Sequence, residues 1–220
     1  MASHLDLEEQ EQLEQLKAFW KRWGNLITWL LTLGLLAFAG WNGWTMWQRN
    51  QANQAGAMFA ELERAAQAGD LDKGQKVLAD LRERFGRTAY AAQGGLLGAK
   101  LQLDQGKAEE ARTTLAWVAK EGSEPAYRDL ALLRLAALQM DAKQYDEASK
   151  SLEGVKGADF AALVADRRGD LALLQNKPEQ ARAEFKKAYD AMDKTLDYRR
   201  LVAVKLGSLG VSVDDEKGAQ

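Results

Sequence analysis

Between Arg22 and Arg49 the chain carries no charged side chain. A helix of about 20 apolar residues crosses the hydrocarbon core of a bilayer, and the stretch Trp23 to Gln48 holds 26. Its centre, from Leu26 and Ile27 to Leu36, Ala37 and Phe38, is apolar on every helical face. A helix at the surface of a soluble core keeps a polar stripe for water instead. Six of the seven tryptophans gather here, with Trp20, Trp23 and Trp29 towards one end and Trp41, Trp44 and Trp47 at the other. Indole rings settle at headgroup level. The sequence therefore predicts one transmembrane helix over 23–48, anchored by Trp23, Trp29, Trp41, Trp44 and Trp47.

Ala37-Phe38-Ala39 imitates a signal-peptide cleavage site. Against cleavage stand an acidic leader (Asp6, Glu8, Glu9, Glu11, Glu14), apolar sequence continuing past the cut, and three tryptophans left at a soluble N-terminus. Lys17, Lys21 and Arg22 closely precede the span and only Arg49 immediately follows it. The positive-inside rule counts these residues and predicts a cytoplasmic N-terminus with the bulk of the chain across the membrane. Leu13, Leu16, Phe19 and Trp20 recur at helical spacing in the leader, which predicts a short amphipathic helix entering the span.

Beyond the span, straight-chain helix formers dominate, β-branched residues are sparse and the chain has only two prolines, all of which predict an all-α fold. One phrase recurs: an acidic or basic pair, a small residue, then a large apolar residue four positions later. The copies run from Leu71-Asp72-Lys73-Gly74 to Leu78, from Ala108-Glu109-Glu110-Ala111 to Leu115, from Tyr145-Asp146-Glu147-Ala148 to Leu152, and from Pro178-Glu179-Gln180-Ala181 to Phe185. The small residues are spaced by 37, 37 and 33, close to the roughly 34-residue tetratricopeptide unit. A small residue lets two helices approach, and the large one on the same face fills the gap between neighbours. Leu62, Ala99, Ala136 and Gly169 stand twelve residues before each small residue, in the preceding helix. Gly69-Asp70 and Gly106 supply turns, Lys143 replaces a glycine in the third, and Asn176 is placed as an N-cap ahead of Pro178.

These patterns predict a tetratricopeptide-like α-solenoid of about four helix hairpins. Tyr198 to Leu209 forms a last helix that caps the stack, and Gly210 ends it. The expected organisation is a leader over 1–22, the span over 23–48, a linker over 49–56, a repeat domain over 57–210 and a disordered tail over 211–220. In such stacks the first helix of each hairpin lines the binding groove. Counting back from the small residues puts Phe59, Leu96, Lys100, Leu103, Leu133, Met140, Leu163 and Asp170 there, although both faces of a repeat helix are partly buried and core roles fit the apolar members equally. Leu and Met with few charges suit an extended polypeptide better than an acidic motif.

A net charge of −2 leaves no basic footprint for nucleic acid. Without cysteine there is no thiolate chemistry and no disulfide, and the one histidine, His4, has no partner for a metal site or a base. Gly94-Gly95-x-x-Gly98-x-Lys100 faintly resembles a phosphate loop but lacks its Gly-Lys-Ser/Thr ending. Neither catalytic residue nor cofactor can be nominated, and enzyme is the losing class.

The run Ala161-Ala162-Leu163-Val164-Ala165-Asp166-Arg167-Arg168-Gly169-Asp170-Leu171, then Lys177 and Gln180-Ala181-Arg182-x-x-Phe185, resembles the C-terminal repeat of the YfgM-type ancillary subunits of the bacterial SecYEG translocon. The order of parts, an acidic leader, one span, a Trp-rich exit and repeats, is similar as well. The resemblance implies a bacterial inner-membrane protein with a periplasmic repeat domain. Its implied partners are SecYEG translocon subunits, a PpiD-type periplasmic chaperone and unfolded exported polypeptides, and its implied role is chaperone-like assistance to protein export. A scaffold for another cell-envelope complex is the alternative that the same groove would serve.

Overall fold

The computed structural model describes residues 7–213. The chain divides into two compact units, Met1–Asn50 and Gln51–Gln220. All regular structure among the described residues is helical.

Helix α1 runs from Leu7 to Gln67 without interruption. It contains the one stretch, among the described residues, long and apolar enough to cross a membrane. Within the first unit the threonines of that stretch satisfy themselves: the Thr28, Thr32 and Thr45 hydroxyls donate to the carbonyls of Gly24, Thr28 and Trp41 at 2.8, 2.8 and 2.6 Å. This internal satisfaction is what a hydrocarbon surrounding demands. Trp23, Trp29, Trp41, Trp44 and Trp47 all point outward from the helix, and the Trp44 and Trp47 rings lie 5.1 Å apart.

Residues 49–56, expected as a linker, are helical. Extending an existing helix skips the costly nucleus, and no proline interrupts this run. Ala55 is fully buried in a cluster with Leu81, Phe85 and Ala91, so ordered packing begins before the expected domain start.

In the second unit the end of α1 is followed by α2 (Leu71–Phe85), α3 (Ala89–Asp104), α4 (Ala108–Glu121), α5 (Pro125–Asp141), α6 (Tyr145–Gly154), α7 (Ala161–Leu174), α8 (Pro178–Ala191) and α9 (Asp197–Ser208). The hairpins α3/α4, α5/α6 and α7/α8 pack in sequence, and α9 lies on α8. The small and large positions of the recurring phrase are the core. Gly74, Ala111, Ala148 and Ala181 are buried, as are Leu78, Leu115, Leu152 and Phe185 four residues on. The preceding helices meet them with Leu62, Ala99, Ala136 and Gly169. A methyl group at Gly169 would collide with the Phe185 ring.

The four hairpin turns share one conformation. Gly69, Gly106, Lys143 and Asn176 have φ of 67°, 74°, 60° and 59°. Each donates its N–H three residues back, and the next residue donates five back: Lys107 to Gln102 at 2.7 Å, Gln144 to Gln139 at 2.8 Å, Lys177 to Ala172 at 2.8 Å. This is the Schellman closure, which satisfies the last carbonyls of the first helix. Asn176 is thus the left-handed turn residue and not an N-cap; Lys177 occupies the cap position, with no side-chain cap bond. Asparagine suits that turn because its short polar side chain tolerates the left-handed region.

The shortened third period has its cause in α6, which spans 10 residues where α4 spans 14. The chain leaves α6 through 155–157, tied down by Asp129 of α5: its carboxylate accepts the N–H of Lys156 at 3.2 Å and of Gly157 at 2.7 Å. A 3-10 turn over Ala158–Phe160 then leads into α7. Helix α9 ends in the same way as the hairpin turns, with Gly210 at φ 77°.

Candidate functional site

The first helices of the hairpins stand side by side, α3 against α5 and α5 against α7, so the expected groove residues belong to one row of helices. They do not share one environment. Leu96, Leu133 and Met140 are each only 5% exposed. Leu96 packs with Ala111, Leu115 and Ala131, and Leu133 and Met140 pack with Ala148, Leu152 and Val164. A ligand reaches none of these three without the helices parting, and they are corrected to core.

The other five remain accessible to different degrees. Phe59 is half-buried, its ring 5.9 Å from that of the exposed Tyr90. Lys100 is exposed and donates to Asp104 one turn on, at 2.6 Å. Leu103 is exposed and Leu163 half-buried. Asp170 is half-buried and accepts Arg167 Nη1 at 2.9 Å and Lys205 Nζ at 2.7 Å. Charge on this face is thus mostly answered from within. Arg134 of α5 is exposed, reaches the Leu96 carbonyl at 3.4 Å and lacks a carboxylate partner among the described residues.

A buried acid was missed. Asp166 is fully buried and occupies the position, three residues before the small one, held by Phe59, Leu96 and Leu133 in the earlier repeats. Tyr198 Oη donates to it at 2.7 Å and Lys205 Nζ at 2.8 Å, both from α9. Burial, and then the bond to Asp166, push the Tyr198 phenol up to about 12. Arg167 is lifted above its usual value by Tyr198, Asp170 and Asp166, which together outweigh the opposing effect of burial. The signal was available: a carboxylate in a register of large apolar residues, with Tyr and Lys in the helix after next. The same counting finds Tyr90 and Tyr127, 37 apart at the start of α3 and α5; Tyr127 Oη accepts Gln93 Nε2 at 2.5 Å, tying the two helices.

The glycines of the phosphate-loop look-alike serve packing. A methyl group at Gly94 or Gly98 would stand 2.5 Å from Leu81 or Leu78, and one at Gly95 would overlap Val118. His4 lies outside the described residues. What this face offers is an array of apolar spots among charges several of which pair with one another.

A family model of a tetratricopeptide repeat-like domain matches residues 17–211. A protein of Neisseria gonorrhoeae named ancillary SecYEG translocon subunit is 32% identical over 210 residues, which cover 95% of this chain and 100% of that protein. A protein of the same name from Escherichia coli K12 is 29% identical over 125 residues, 57% of this chain and 60% of its own. One from Haemophilus influenzae, again of that name, is 28% identical over 186 residues, 83% of this chain and 89% of its own.

Proposed function

Because the chain belongs to the family of ancillary SecYEG translocon subunits with a tetratricopeptide repeat-like domain, we propose that it is a non-catalytic, membrane-anchored accessory of the Sec translocon. In this reading its N-terminus is cytoplasmic, its repeat domain is periplasmic, and it assists newly exported polypeptides beside a PpiD-type chaperone. The observation that carries the reading is the likeness along nearly the whole chain, span included. Two physical points support it. A single apolar helix at the start of the chain keeps the repeats near a membrane, and confinement raises the effective concentration of any ligand emerging there. A face of apolar spots with internally answered charge suits unfolded polypeptide, which brings varied side chains and no fixed charge motif.

The test places a photo-crosslinking residue at Phe59, Lys100 or Leu103, accessible positions of the first helices, in the full-length protein in cells. Adducts with translocon subunits, with the partner chaperone and with exporting chains are expected. Adducts confined to a fixed envelope complex would replace this reading with the scaffold.

A further inference from the structure

The link between α2 and α3 packs against the first residues of the repeat unit. Ala55, seven residues after Gln48, lies in one cluster with Phe85 at the end of α2 and Ala91 at the start of α3. A methyl group at Gly56 would stand 3.2 Å from the Tyr90 ring. Seven residues reach at most about 25 Å even when fully extended. With α1 spanning a membrane, chain connectivity alone keeps this corner beside the point where the chain leaves it. The other links, α4 to α5, α6 to α7 and α8 to α9, follow one or more hairpins later.

The corner is also the basic one. From the last turn of α2 to the first residue of α3 stand Arg82, Arg84 and Arg87 against one acid, Glu83. The later links, delimited alike, hold more acid than base. Glu121 and Glu124 accompany Lys120, and Glu153 and Asp159 accompany Lys156. The last has Asp190, Asp193 and Asp197 with Lys194. None of the three arginines has a carboxylate partner among the described residues. Arg84 and Arg87 are exposed, and Arg82 lies over the Trp117 ring at 4.5 Å. Arg82 and Arg84 also suit the negative end of the α2 dipole. Arg87 has no such use, because it precedes α3, whose first turn holds no acid and is itself the positive end of a helix.

We propose that this corner rests on the bilayer surface, where its arginines take the phosphates of anionic phospholipid and its aromatic rings lie at headgroup level. Position and charge decide the occupant. The surface that connectivity brings nearest is a lipid one, and cations held close to an anionic leaflet are attracted to it. Tryptophan and tyrosine favour the same depth. Trp117 is the one tryptophan in the second unit, and Tyr90 is exposed at the corner. This contact rests on the membrane-anchored reading of the chain and not on the translocon one.

The chain has no native cysteine, so Ala89→Cys carries a single fluorophore in full-length protein reconstituted into vesicles. The vesicles are phosphatidylcholine alone, or phosphatidylcholine and phosphatidylglycerol in equal parts, each with a headgroup spin label as quencher. Quenching is expected to be severalfold stronger in the anionic vesicles, and the difference to shrink in high salt. A fluorophore on Asp159→Cys, exposed at the third link, is expected to show no such difference. Arg84→Gln with Arg87→Gln should require several times more phosphatidylglycerol for the same quenching, since each cation near an anionic surface contributes a factor of about five. Arg84→Lys with Arg87→Lys should restore it, which separates charge from any change in folding. Equal quenching in the two kinds of vesicle, or quenching indifferent to the glutamine pair, would overturn the proposal. So would a photo-crosslinker on Ala89→Cys that links in cells to a protein and not to lipid, which would give the corner to a protein surface. Release of the full chain from the vesicles by an alkaline wash would sink the anchored reading itself, and the lipid contact with it.

Discussion

The middle of the repeat stack and its C-terminal end use the same geometry with different adhesives. In α3 and α5 the position three residues before the small residue is Leu96 or Leu133, sealed among aliphatic side chains. In α7 it is Asp166, equally buried but answered by Tyr198 and Lys205 of α9. The middle is held by non-directional apolar contact, which tolerates volume-conserving change. The end depends on a network in which every member needs its partner, because a buried charge left alone costs several kcal/mol. A carboxylate is therefore acceptable at this position only where the helix after next supplies a donor and a cation.

The sharpest way to break the comparison is to move the acid. Leu133→Asp places a carboxylate at the middle position without Tyr or Lys opposite. It should cost more than the roughly 2–5 kcal/mol of a Leu→Ala cavity and collapse the cooperative melt. An intact melt would show that the middle is as adaptable as the end. Less drastic is the removal of the answering cation. Lys205→Met should destabilise by about 3–5 kcal/mol, read as faster amide exchange in α9 than in α3. Converting the whole network to the middle's chemistry, Asp166→Leu with Lys205→Met and Tyr198→Phe, should recover most of that loss. If the triple variant is no better than the single one, the two regions differ by more than their adhesive.

The smallest effect concerns the turns. Lys143 holds at φ 60° the conformation that Gly106 holds at 74°, and a side chain in the left-handed region costs roughly 1–2 kcal/mol. Lys143→Gly should gain somewhat less than that, about 0.5–1 kcal/mol, because glycine also frees the unfolded chain. A higher melting temperature for the variant checks it; a lower one would mean that the lysine side chain contributes contacts at that turn.

What was legible in the sequence was what repeats. The small and large positions at 74, 111, 148 and 181 and at 78, 115, 152 and 185 fall in the core where their spacing placed them, since close helix approach has no substitute for a small side chain. The span was legible for a related reason: no charge interrupts it. What escaped depended on neighbours that spacing does not reveal. Leu96, Leu133 and Met140 read equally as groove or core, and only the packing of a third helix over them decides for core. Residues 49–56 look like a linker because Asn, Gln and Gly carry no periodicity, yet a helix already under way passes through them. Asn176 offered two plausible roles, cap or turn, and the backbone chose the turn. Asp166 was hidden by its context, since one carboxylate among many on helices reads as solvated until its position in the repeat is compared with Leu96 and Leu133.

The main inter-helix contacts among the described residues of the repeat unit join helices no more than two apart in the chain. That locality governs how the unit comes into being. Synthesis delivers a chain from its N-terminus, at about 5–20 residues per second, and each hairpin here finds its partners among residues already made. No segment must wait for a distant strand or hold an apolar surface open until the far end arrives. Folding can therefore advance in step with emergence, one hairpin behind the growing edge, and contacts this local also belong to the faster class of folding reactions. Helix α9 is the last to arrive, and with it come the two donors that Asp166 has been waiting for.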